Sequence, residues 1–249
     1  MITHELLHDK VVRDIALKVL MGGEKRLPNE ADLCKELTVS RTILRESIKV
    51  LAAKGLIKVG HGGTVARPRE DWNVLDSQLL EWISQNGNSW NLFDNLLELR
   101  QAFEPKAAEL AARRATQADT KAIQAALDEM RLAKDGKAYT SADLHFHECI
   151  FKATHNELFC QIGGFTKIFL RMLFSLTAGS GPSSPDSVSV HNNVLQAIVK
   201  GDVHAARKHM EEVLRLSART VLKMNKAKAR KRGALARQNG HTSTSPKRG

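Results

Sequence analysis

Val39-Ser40-Arg41-Thr42-Ile43-Leu44-Arg45-Glu46-Ser47-Ile48-Lys49-Val50-Leu51 decides how this chain is read, because its polar and apolar residues separate at helical spacing. One arc gathers Arg41, Thr42, Arg45, Glu46 and Lys49, and the other holds Ile43, Leu44, Ser47, Ile48, Val50 and Leu51. The polar arc carries three cations, a hydroxyl and one acid, whereas a merely solvated face, the plain alternative, mixes both signs. Upstream, Leu27-Pro28-Asn29-Glu30 has the form of a helix start: Asn29 can cap, and Glu30 suits the positive helix end. A helix through Ala31–Leu37, a short turn, and a second helix capped by Ser40 make a helix-turn-helix, whose second helix is built to enter the major groove of double-stranded DNA.

Beyond it, Gly55 ends the helix and Leu56-Ile57-Lys58-Val59 reads as a strand. Gly60-His61-Gly62-Gly63 can turn tightly, and Thr64-Val65-Ala66 returns as the partner strand. A hairpin at this position is a wing, whose tip can offer His61 and backbone amides to the DNA backbone or minor groove.

Together, Leu27-Pro28-x-Glu30, Val39-Ser40-Arg41-Thr42-x-x-Arg45-Glu46, Gly55-Leu56-Ile57 and the Gly62-Gly63-Thr64-Val65 wing resemble GntR-family regulators. The resemblance implies that Arg41, Thr42 and Arg45 contact DNA with the His61 and Gly62 wing tip beside them. Ser40, Lys49 and Gly63 complete the candidate DNA-binding set. One departure is Ala31, where many family members carry an arginine, so one expected phosphate or base contact is missing.

A chain of 249 residues has room for a second, larger core beyond such a head. Its three cysteines, Cys34, Cys149 and Cys160, form no CxxC pair and read as reduced, buried thiols rather than a disulfide framework. With no long apolar run and no signal peptide, a cytoplasmic protein without a membrane partner is expected. Net charge is +11, and Lys223–Gly249 supplies +9 of it, with no acidic residue. That tail reads as disordered; it can add salt-sensitive affinity for DNA or serve only solubility.

The expected organisation is mainly α: a winged helix-turn-helix with a small β-hairpin over 1–68, a linker helix over 69–90, an all-α antiparallel bundle over 91–222, and the basic tail over 223–249. After a linker at Arg67-Pro68-Arg69, a helix carrying Trp72, Leu75, Leu79, Leu80, Trp82 and Ile83 is expected to pack between domains, with base stacking by Trp72 or Trp82 as the alternative. Trp72-Asn73-x-Leu75-Asp76-x-x-Leu79-Leu80-x-Trp82 also resembles sugar-acid repressors of the family. From Leu92 to Arg219 leucines and alanines recur at three and four, with turns at Asp135-Gly136, His155-Asn156 and Gly201-Asp202, giving six or seven helices. Ser175–Val190 reads as a loop.

Leu97-Glu98-Leu99-Arg100-Gln101-Ala102-Phe103-Glu104-Pro105 resembles the opening of the ligand-sensing (FCD-type) domain of the FadR branch. Asp143 and His147 stand one helical turn apart and can hold one cation, although the same spacing serves a surface pair. The resemblance adds His191 as a third ligand for a divalent ion such as zinc. The fourth is interrupted, because Val213 stands where the family places a histidine; His209, one turn earlier, is a substitute or simply a solvated residue. His145 points elsewhere.

Arg100 is the candidate for an effector carboxylate, since guanidinium offers two parallel donors; a salt bridge inside the bundle is its other reading. Arg100, Asp143, His147 and His191 thus form the expected effector site, with Asn192, Asn193 and Thr177 as further polar groups. The reading is a homodimeric repressor released from its operator by a small carboxylate, an aldonate of the galactonate type first and a hexuronate second. A zinc enzyme built on the same ligands is the competing class, yet HExxH, Walker and Gly-x-Ser-x-Gly motifs are all missing. A nonspecific nucleic-acid binder driven by the tail is the third reading.

Overall fold

A computed structural model describes residues 4–22, 25–85, 90–177 and 186–219. It divides into two compact units between Leu92 and Phe93. The basic tail and the centre of the expected 175–190 loop lie outside the described residues.

In the first unit, α1 (His4–Leu20), α2 (Glu30–Leu37) and α3 (Arg41–Ala53) precede a hairpin of β1 (Ile57–Gly60) and β2 (Gly63–Ala66). Helix α1, unassigned from sequence, forms because Val11, Ile15 and Val19 stand four apart with Val12 and Ala16 beside them, all buried. It packs on α3. The start of α2 is capped by Asn29, whose side chain accepts from Asp32 N at 3.0 Å. Thr38 closes it in the left-handed region at φ 55°, and Ser40 caps α3 by accepting from Ile43 N at 3.3 Å.

On α3 the two arcs separate as read: Ile43, Leu44, Ser47, Ile48 and Leu51 are buried, while Arg41, Thr42, Arg45, Glu46 and Lys49 are exposed. The buried hydroxyl of Ser47 donates back to the Ile43 carbonyl at 2.9 Å, so it enters the core without an orphaned donor. Both strands start one residue from their expected place, and the antiparallel register pairs Gly60 with Gly63, leaving His61-Gly62 as a two-residue turn.

A 3-10 turn over Arg69–Asp71 follows, and α4 (Ser77–Gln85) starts later than the sequence indicates. Trp72 and Leu75 therefore fall before the helix. The Trp72 indole donates to the Arg67 carbonyl at 3.0 Å, and Leu75 is exposed. The physical reason is a fastening of this segment to the end of α3: Asn73 N donates to Lys54 O at 2.9 Å, and Lys54 Nζ meets Asp76 at 2.7 Å. Gly55, at φ 77°, allows it, since a Cβ there would lie 2.3 Å from the Asp71 carbonyl oxygen. Leu79, Leu80, Trp82 and Ile83 are buried within this unit, where α4 packs on α1, so burial removes base stacking by Trp82.

The second unit is helical throughout its described residues. It comprises most of α5 (Trp90–Arg114), then α6 (Gln117–Leu132), α7 (Gly136–Ala153), α8 (Glu157–Thr177), α9 (Asp186–Val199) and a helix over 203–219, here α10. Helix α6 packs on α7 and α9, and α7 on α8. The breaks fall at the three expected turns and also at Ala115-Thr116, which the sequence reading did not mark, while α8 and α9 take both ends of the Ser175–Val190 segment. Phe146 lies fully buried among Ile123, Leu127, Ile150, Val194 and Met210. Cys149 is buried, but Cys34 is half-buried and Cys160 exposed, so the buried-thiol expectation holds for one of the three. No helix among the described residues is long and apolar enough to cross a membrane.

Candidate functional site

The first candidate surface is the exposed arc of α3 with the wing tip. Arg45 Nε reaches Glu30 Oε2 at 3.0 Å, and Lys49 Nζ reaches Glu46 at 2.8 Å. Among the described residues no ion pair holds Arg41. All these side chains lie in solvent, where each pair contributes between nothing and about 1 kcal/mol and gives way easily to a phosphate. His61, Gly62 and Gly63 are exposed at the hairpin tip, and Ala31 is exposed on α2 without a polar group.

The second site is a buried charged cluster in the helical unit. Asp143 and His147, one turn apart on α7, meet His191 from α9, and one ligand atom from each lies within 4.8 Å of the others. His191 sits inside α9 rather than at its start, because the helix begins at Asp186. Its Nδ1 lies 2.6 Å from the Ser187 carbonyl, which accepts the Nδ1 proton and leaves Nε2 facing Asp143, 3.0 Å from Oδ1. His147 Nε2 lies 3.9 Å from the same oxygen. Two imidazole nitrogens and one carboxylate oxygen suit a first-row divalent ion with coordination positions left over, so the residues fit zinc or a similar metal.

Arg100 joins this cluster from α5. Its Nε donates to Glu104 Oε1 at 2.5 Å, and its Nη2 lies 3.3 Å from Glu104 Oε2 and 3.5 Å from His147 Nε2. Both partners are almost wholly buried, at 2% and 1% exposure. The intra-bundle salt bridge is therefore real, and it also places the guanidinium against the His-Asp group. Thr166 on α8 donates to Glu104 at 2.8 Å, and His147 Nδ1 stands 2.8 Å from Glu104 Oε2, off the line of a good hydrogen bond. Burial pushes the Glu104 carboxyl up, but the charges of Arg100 and His147 outweigh it and hold it well below its ordinary value. Asp143 behaves alike: burial opposes ionisation, and the hydrogen bond and charge of His191, then His147 and Arg100, hold it ionised.

Glu104, Thr166 and Ser187 carry no assignment from sequence. Only the four-residue step from Arg100 to Glu104 signals one of them. The other sequence candidates separate clearly. Val213 is a buried apolar residue of α10, so no ligand comes from that position. His209 is half-buried, not solvated, and stands outside the cluster. His145 is exposed and contacts Glu129 at 3.0 Å. Asn192 accepts from Arg131 at 3.1 Å on an exposed face, and Asn193 is half-buried. The Thr177 side chain lies outside the described residues.

Residues 4–66 match the family described as bacterial regulatory proteins, gntR family, and residues 95–216 match the FCD domain. A galactonate operon transcriptional repressor of Escherichia coli is 34% identical over 204 residues, covering 80% of this chain and 89% of that protein. This chain belongs to the GntR family. A Uxu operon transcriptional regulator of Escherichia coli is 30% identical over 224 residues, with 82% of each chain covered. Among solved structures, the Listeria monocytogenes regulator Lar superposes with a TM-score of 0.54 at 19% identity, covering 88% of this chain and 96% of that one, which supports the fold alone. The chain is thus a DNA-binding transcription regulator with an FCD domain. Its families and relatives are regulators, which sets the zinc-enzyme reading aside. FCD domains commonly bind metal, and the Asp143, His147 and His191 donors agree with that habit.

Proposed function

We propose that this regulator is a cytoplasmic homodimeric repressor of a sugar-acid catabolic operon, released from its operator when the helical unit binds the acid. The observation that carries the reading is the juxtaposition of a guanidinium with two imidazoles and a carboxylate, all buried in the bundle. A polyhydroxylated carboxylate matches it: the carboxylate takes the guanidinium fork of Arg100, and hydroxyls find acceptors at Asp143 and the histidines. A divalent ion held by Asp143, His147 and His191 would supply open coordination positions to the same carboxylate and a neighbouring hydroxyl. The likeness to the galactonate operon repressor supports an aldonate. The Uxu operon relative keeps a second acid, such as a hexuronate, in view.

On DNA, Arg41, Thr42, Arg45 and Lys49 read the major groove from a helix fixed by the Ser40 cap, while His61, Gly62 and Gly63 meet the backbone or minor groove. Two heads on one dimer then require a pseudo-palindromic operator. An effector that prefers the non-binding arrangement by about 1–3 kcal/mol weakens operator binding roughly 5- to 150-fold. Thermal-shift screening against aldonates and hexuronates, with and without chelator, tests the sensing half; a binding acid raises the melting temperature. No shift with any acid, in metal-loaded or metal-free protein, overturns it.

A further inference from the structure

We propose that Arg26 is a further DNA-binding residue, gripping a phosphate beside the wing; the inference rests on the reading of α3 and the wing as the DNA-binding surface. The short segment Lys25–Leu27 is laid against β2. Leu27 N donates to Thr64 O at 2.9 Å, Ala66 N donates to Lys25 O at 3.0 Å, and Arg26 bridges Val65 between them. The backbone of Arg26 is therefore as fixed as the hairpin itself.

Its side chain is exposed and reaches toward the tip. Nη2 lies 3.2 Å from the point a Cβ on Gly62 would occupy, so the guanidinium rests against the bare backbone of the turn. Arg45 and Lys49 are each engaged by a carboxylate of their own surroundings, Glu30 and Glu46. No carboxylate among the described residues engages Arg26. A planar, permanently charged fork held at a wing tip, with its donors unspent, matches the oxygens of a phosphodiester. Prior ordering against Gly62 lowers the entropy lost on contact. The position also bears on Ala31, which leaves one expected cation missing from the reading surface; Arg26 supplies a cation from the opposite, wing side of the motif.

The test is fluorescence anisotropy of the full-length protein on two duplexes, one spanning the region it protects in footprinting and one unrelated, across a range of salt. Arg26→Ala is expected to weaken both by a similar factor, roughly three- to tenfold, and to lower the slope of log affinity against log salt by about 0.9. Arg26→Lys, which keeps the charge but loses the planar fork, is expected to restore the salt slope and only part of the affinity. Unchanged melting temperature separates these effects from folding. Unchanged affinity and slope in Arg26→Ala, alongside lost operator binding in Arg41→Ala, overturns this inference alone. Loss confined to the footprinted duplex overturns the phosphate contact as described. If Arg41→Ala also binds like the wild type, the reading of α3 itself fails.

Discussion

The exposed arc of α3 and the buried cluster around Arg100 use the same residue types to opposite ends. On α3, the Arg45–Glu30 pair has side chains 63% and 43% exposed, so water already solvates both charges and the pair is cheap to exchange. Around Arg100 the charges are removed from water, and each depends on the others for its solvation. On the proposed reading, a surface that exchanges its partners for DNA keeps its charges wet, and a centre that registers one ligand keeps them dry and mutually committed.

The largest expected effect tests that dependence. Glu104→Ala strands the Arg100 guanidinium in the bundle and should cost about 3–5 kcal/mol of stability, read by urea unfolding. Replacing both partners by apolar residues of similar volume should recover much of the loss. A Glu104→Ala protein as stable as the wild type breaks the contrast between the two regions.

Next come the reading residues. Arg41→Ala and Arg45→Ala should each weaken operator binding by about 1–3 kcal/mol per lost base contact, roughly five- to 150-fold, with melting temperature unchanged. Gel shifts beside thermal melts make the measurement. Loss of stability without loss of binding contradicts the exposed-surface account.

Removal of metal should act on the buried centre alone. Zinc or a similar ion is expected to raise the melting temperature, chelator to reverse that, and His147→Ala or His191→Ala to abolish the response. Equal melting of chelated, loaded and variant proteins sinks the metal proposal and leaves the Arg100 contact standing.

Two smaller effects sharpen the comparison with ordinary helix ends. Thr116 caps α6, and its side-chain hydrogen bond leads the causes that hold the Asp119 carboxyl below its ordinary 3.8. A lowered folded value means the contribution is present above the unfolded value and lost as pH falls through the folded one. Thr116→Ala should therefore cost about 1 kcal/mol at neutral pH and flatten the acid limb of the stability profile. In the reading unit, Thr38→Gly should stabilise by up to about 1 kcal/mol, because Thr38 holds a left-handed conformation at φ 55°.

Local pattern carried the helix-turn-helix and wing well but left α1 unassigned. The two arcs of α3, its Ser40 cap and the wing all follow from residues within a turn or two of each other. Helix α4 was harder because its start is set by Lys54 and Gly55, more than twenty residues upstream, which fasten the preceding segment. The cluster was half legible. Asp143 and His147 share a helix, and their spacing marks them as a candidate pair while leaving a surface ion pair as the other reading. His191 reaches them only through the bundle's topology, so family resemblance rather than periodicity brought it in. Glu104 stood beside Arg100 in the quoted stretch, yet its depth of burial decides its role, and depth is invisible at a four-residue step.

The central claim is that a wet cationic reader is controlled by a dry acid-sensing centre in the same chain. Operator-bound protein titrated with aldonates and hexuronates, followed by anisotropy in wild type and Arg100→Ala, tests it most directly. The account predicts release of wild type by at least one acid and a blunted response in Arg100→Ala. Retention of the operator at every acid concentration, or equal release of both proteins, contradicts it.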